Sequence, residues 1–126
     1  MKSAQTPLHK VQGLGASHSG TGHFWRERVT SVALIPLSLW FAYAMLGLAG
    51  TNEVAILQFL MHPWNALLMA GFAAISLYHA SLGLQVAIDD YVHSATSRVF
   101  LLILVRGAVF ALIATCVFAL IRIASV

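Results

Sequence analysis

Charge is what this sequence has least of. Of its 126 residues only 9% are Asp, Glu, Lys or Arg, against 60% hydrophobic, and the mean hydropathy is +0.85. A soluble domain devotes about a quarter of its residues to charge. So few charges cannot clothe a globule in water, but they can cap the ends of a bundle whose flanks face lipid. Cysteine is scarce as well. Cys116 stands alone in an apolar run, which excludes a disulfide within the sequence and makes the thiol a small apolar side chain. The first 25 residues hold no apolar h-region, so no secretory signal is expected and membrane targeting should reside in the spans. The net charge of +3 is small, and no basic stripe points to nucleic acid. The length allows one domain.

What is present is a set of long apolar runs. Residues 1–22 are polar and glycine-rich without periodicity, and read as an N-terminal arm. Residues 23–30 (HFWRERVT) read as a helix start at the interface. There Phe24 and Trp25 suit the headgroup level, and Arg26, Glu27 and Arg28 stay near water. Spans are predicted at about 29–50, 64–88 and 98–122, making residues 23–126 an all-α integral membrane bundle of three helices. Pro36 should kink the first span or loosen one hydrogen bond. A short amphipathic piece, 54–61, precedes Pro63, which is well placed to open the second span with Trp64 as its anchor. That span would run roughly 37 Å against a hydrocarbon core of ~30 Å, so it must project or tilt.

Orientation follows from basic residues. Lys2, Lys10, Arg26, Arg28 and Arg98 fall on one side of a three-span chain, and Arg122 alone flanks the other. The positive-inside rule therefore puts the N-terminus and the 89–98 loop in the cytoplasm, with the C-terminus periplasmic. The expected location is a bacterial inner membrane; in a mitochondrion the equivalent side would be the matrix.

Polar groups inside the spans carry the functional question, because the bilayer penalises each by a few kcal/mol. His79 and Arg106 are the strong ones, with Gln85 beside them. His79 and Asp90 are eleven residues apart, about three turns, and so share a helix face at ~16 Å separation. Gly83 and Val86 fall close to that face. A histidine followed one turn later by glycine leaves a flat recess beside the imidazole, which a planar macrocycle bound through a ring nitrogen requires. The same pattern also suits a histidine that bonds a neighbouring helix, with glycine allowing close packing. No second intramembrane histidine exists, since His62 and His93 flank the spans, so a two-histidine iron site would need another chain. Asp89-Asp90-Tyr91, at the span's end, reads as an interfacial anchor with solvated carboxylates. It also offers the phenol and carboxylate that a quinone carbonyl needs.

The run from His79 to His93 (HASLGLQVAIDDYVH) closely resembles a signature of the small membrane anchor of succinate dehydrogenase, respiratory complex II. That signature reads roughly H-x3-G-x-[QW]-x4-DY. A weaker likeness lies in His23 to Ser31 (HFWRERVTS), where the family has an arginine ahead of a small or hydroxyl residue. The resemblance implies that His79 is an axial ligand to the iron of haem b, with Gly83 giving clearance. Its opposite ligand would come from the larger cytochrome b anchor subunit. It implies that Tyr91 donates a hydrogen bond to ubiquinone, supported by Asp90, and that Arg28 lies near the haem propionates and the quinone. Electrons would come from an iron–sulfur subunit and a flavoprotein subunit docked on the cytoplasmic face, so this chain alone would have no activity. Protons would come from the same side, past Asp90 and His93. Arg106 takes no role from the resemblance and could pair with a propionate or reach for the interface. Asp89 reads as a solvated or subunit-contacting charge, while His18, His23 and His93 are left as possible partner or propionate contacts. Two other readings stand beside this one: a fumarate reductase-type anchor using menaquinone, and a structural or transport bundle, which would need a polar stripe that the spans lack.

Overall fold

The computed structural model describes residues 20–125, all helix and short connections. In lipid a backbone must satisfy its own polar groups, and a helix does so within one segment. Among the described residues there are four helices: α1 Gly20–Leu48, α2 Glu53–Met61, α3 Pro63–Tyr91 and α4 Ala95–Ala124. The three long ones have the length and apolarity to cross a membrane. A long apolar helix covers each expected span: the second and third run past both predicted ends, while the first begins earlier, at Gly20, and stops at Leu48, two residues short of the predicted limit. α1, α3 and α4 have 29, 29 and 30 residues, where about 20 suffice for the hydrocarbon. α1 starts at Gly20, three residues inside the stretch read as an arm. The rest of that arm, with Lys2, Lys10 and His18, lies outside the described residues. α1 continues through Pro36 without a break in helix.

Local chemistry explains the turns. Gly50 has φ +78, the left-handed conformation that stops α1, and the Thr51 hydroxyl donates to Leu48 O at 2.7 Å. Asn52 then caps α2 by accepting from Ala55 N at 3.0 Å, with Glu53 in the favourable first turn. His62 alone joins α2 to α3, and Pro63 occupies the first turn, where its missing N–H costs nothing. The Asn65 side chain donates back to Phe59 O at 3.0 Å, tying the two helices together. Three residues, Val92 to Ser94, turn α3 into α4. Asp89 and Arg98 face each other across that turn at 3.8 Å.

α3 is the central helix. α1 packs on one side of it and α4 on the other, while α2 rests against both α3 and α4. The inner face of α1 carries His23, Glu27, Thr30, Leu34, Leu37, Phe41, Ala44 and Leu48, spaced alternately by four and three residues. This is the seam of near-antiparallel helix packing. Phe41 stacks on Phe72 with centroids 4.5 Å apart, and Trp40 lies over Phe59 at 6.3 Å. Burial within the chain is sparse: among the described residues only Ala44, Ser81, Leu82 and Ile88 are fully enclosed.

Candidate functional site

His79 sits midway along α3, half-buried, on the face turned to α1. Phe72 and Val86, seven residues to either side, share that face, and Phe72 meets Phe41 of α1. Opposite His79 is Thr30, whose Oγ1 lies 2.8 Å from the imidazole Nδ1. The same hydroxyl oxygen is 2.8 Å from Arg26 O and 3.0 Å from Glu27 O, one turn back along α1. Ser31 makes the parallel bond to Glu27 O at 2.8 Å. One ring nitrogen of His79 is therefore engaged, and among the described residues the other has no hydrogen-bond partner.

Gly83 follows one turn on and is exposed; a side chain there would meet no atom of the chain's other elements or side chains within 4 Å. No three His, Cys, Asp or Glu side chains converge among the described residues, so a metal ion held wholly by this chain has no site there. A haem, which brings four nitrogens of its own and asks the chain for one imidazole, fits this donor set.

The helix exit is arranged differently. Asp90, eleven residues from His79, lines a cleft of ≈ 410 Å³ together with His23, Arg26, Gln85, Asp89 and Arg106. Tyr91 projects from the end of α3 and is 82% exposed. No hydrogen bond joins its phenol to Asp90 among the described residues. Adjacent helical residues point about 100° apart, so carboxylate and phenol do not face each other.

Arg28 lies on another face of α1. Its guanidinium covers the Phe24 ring at 5.0 Å, and it borders a hollow with Ser31, Val32 and Ile35 on the outside of the helix. Arg26, two residues earlier, is the arginine that shares a cleft with Asp90. Arg106 reaches from α4 and donates to Gln85 Oε1 at 3.1 Å, which supplies an in-chain partner for the charge in the third span. Both arginines also border a neighbouring cavity of ≈ 290 Å³ floored by Ser81 and Leu82.

Thr30 and Arg26 were not among the site residues drawn from sequence; Arg106 and Gln85 were singled out as polar groups inside the spans, but not as each other's partner. One signal was available: His23, Arg26 and Thr30 stand at i, i+3 and i+7, one face of a helix. Nothing in the sequence says that this face meets α3.

These features first define a class: a membrane-spanning helical subunit whose polar groups are presented on faces that the chain does not close by itself. The family model described as succinate dehydrogenase/fumarate reductase transmembrane subunit matches residues 2–120. A relative from Paracoccus denitrificans, named succinate dehydrogenase hydrophobic membrane anchor subunit, is 32% identical over 93% of this chain and 90% of its own length. Relatives of the same name from Rickettsia bellii and Rickettsia felis are 34% and 35% identical over 77% of this chain, and over 78% and 81% of their own. No solved structure matches the chain. The chain belongs to the succinate dehydrogenase/fumarate reductase transmembrane subunit family, on the branch of hydrophobic membrane anchors of succinate dehydrogenase. With three spans and such relatives, it is a multi-pass protein of a bacterial inner membrane and one subunit of an enzyme complex.

Proposed function

We propose that the chain supplies one axial ligand to haem b, through His79, and part of a ubiquinone-reduction site, through Asp90 and Tyr91. The observation that carries the reading is a half-buried imidazole in mid-span with Nδ1 engaged by Thr30 and an exposed glycine, Gly83, one turn further on. Haem b, when bound, supplies a one-electron relay within the membrane. The chain's own residues do the rest. His79 would hold the iron, and a second ligand would come from the larger cytochrome b anchor. Gly83 leaves room for the ring plane.

Tyr91, exposed at the helix exit, donates its phenol O–H to a quinone carbonyl, and Asp90 supports that site from the cleft it shares with Arg26 and His23. Ubiquinone takes up two electrons and two protons. Electrons reach it from the iron–sulfur and flavoprotein subunits, and protons from the cytoplasmic side, where the basic residues cluster. Arg28, on the outer face of α1, is offered to a partner subunit or to a propionate held between the subunits. The relatives' names favour succinate dehydrogenase over a menaquinone-linked fumarate reductase, and the family assignment sets aside a pore-forming bundle.

The test is a reduced-minus-oxidised absorption spectrum of the purified complex, with and without His79→Ala. Loss of the b-type bands supports the reading, and an unchanged spectrum overturns it.

A further inference from the structure

Thr30 has one hydroxyl proton and three short contacts: Arg26 O at 2.8 Å, Glu27 O at 3.0 Å and His79 Nδ1 at 2.8 Å. Carbonyl oxygens only accept, whereas an imidazole nitrogen either donates or accepts. If the hydroxyl gave its proton to Nδ1, two oxygen–oxygen contacts at hydrogen-bond distance would be left with no proton between them. If the hydroxyl donates back to the carbonyls of its own helix, as threonines in helices commonly do, its lone pairs face His79. All three contacts are then satisfied only when Nδ1 carries the hydrogen.

We infer that Thr30 is the positioning residue of His79: it accepts from Nδ1–H, selects that tautomer and leaves the Nε2 lone pair as the coordinating atom. This rests on the reading of His79 as a haem ligand. The inference adds a residue from the first span to the haem site without any contact to the haem itself. The outer hydrogen bond of a metal-bound histidine sets the ring's orientation and its electron-donating strength. The Thr30 oxygen should be a good acceptor, because its own proton is already engaged by the carbonyls. Donation strengthened in this way favours ferric over ferrous iron, so losing it raises the midpoint potential.

The experiment uses the intact complex in membranes or mild detergent, with Thr30→Val, Thr30→Ser and His79→Ala. Haem content, haem loss on dilution and the haem midpoint potential are measured. Thr30→Val should keep the b-type spectrum, hold haem about tenfold less tightly and show a higher potential. Thr30→Ser, which restores the hydroxyl, should match the unsubstituted complex in both readouts. If Thr30→Val prevents assembly, Thr30→Ala removes the hydroxyl without a β-branched isostere and is read the same way. A shifted potential in Thr30→Ser also counts against the inference. An unchanged potential and haem affinity in the hydroxyl-free variants, with the spectrum lost in His79→Ala, overturns the role of Thr30 and leaves the ligand reading intact. A b-type spectrum surviving in His79→Ala overturns both.

Discussion

The middle and the end of α3 present chemistry in opposite ways. At His79 the chain organises its own side chain, with a hydroxyl from α1 at 2.8 Å and aromatic packing a turn or two beyond. At Asp90 and Tyr91 it organises little: the phenol is exposed and the carboxylate borders an open cleft. The difference follows from solvent. In mid-membrane no water is available to satisfy an imidazole, so an unpartnered one costs several kcal/mol and the chain must provide a partner. At the interface water satisfies both groups until a substrate replaces it, so the chain can leave them free.

The largest expected effect tests the organised end. His79→Ala should abolish the b-type absorbance, as set out above, and Gly83→Leu sharpens the point. A Cβ at that position would meet nothing in the chain's other elements or side chains within 4 Å, so the added side chain starts in open space. Haem content should nevertheless fall, measured as bound haem per assembled complex. Normal haem content with Gly83→Leu would place the macrocycle elsewhere.

At the open end, the proposed quinone contact makes Tyr91→Phe the loss of one hydrogen bond to a polarised carbonyl. Quinone reduction by the complex should drop about tenfold, the order expected for losing one such bond of ~1.4 kcal/mol. Succinate oxidation by soluble artificial acceptors should be unaffected. Parallel loss of both activities would mean that the tyrosine serves assembly and not the quinone. A smaller effect belongs to Gln85→Leu, which strips Arg106 of its acceptor. It should destabilise the complex by about 1 kcal/mol in thermal inactivation, typical of an interhelical hydrogen bond in a membrane. Smallest is Arg98→Ala. Its ion pair with Asp89 is long and half exposed, worth at most about 0.5 kcal/mol and screened by salt.

Much of this architecture was legible from residues alone, for definite reasons. Three apolar runs could only be spans, and Pro63 marked a helix start through its backbone chemistry. His79 was visible because an imidazole in lipid needs a reason. The extension of α1 back to Gly20 was not visible, since glycine, threonine and histidine carry no apolar pattern that distinguishes a helix from an arm. Thr30 was hidden for a different cause. A threonine in a helix ordinarily bonds its own backbone, and this one does that too; its second bond depends on which face of α1 meets α3. Lipid-facing helices are apolar all round, so that face cannot be read from amphipathicity. The choice between Arg26 and Arg28 turns on the same unknown. Two residues apart on a helix are nearly opposite, and only packing tells which one faces Asp90.

The sparse interior has a consequence for how this subunit persists in a cell. With Leu82 the one large side chain almost wholly enclosed among the described residues, little of the chain's side-chain packing is internal. Partner subunits and cofactor that bind the folded chain then contribute to its stability by mass action. Its abundance should therefore track theirs, and a shortage of any one of them would be felt as loss of the others.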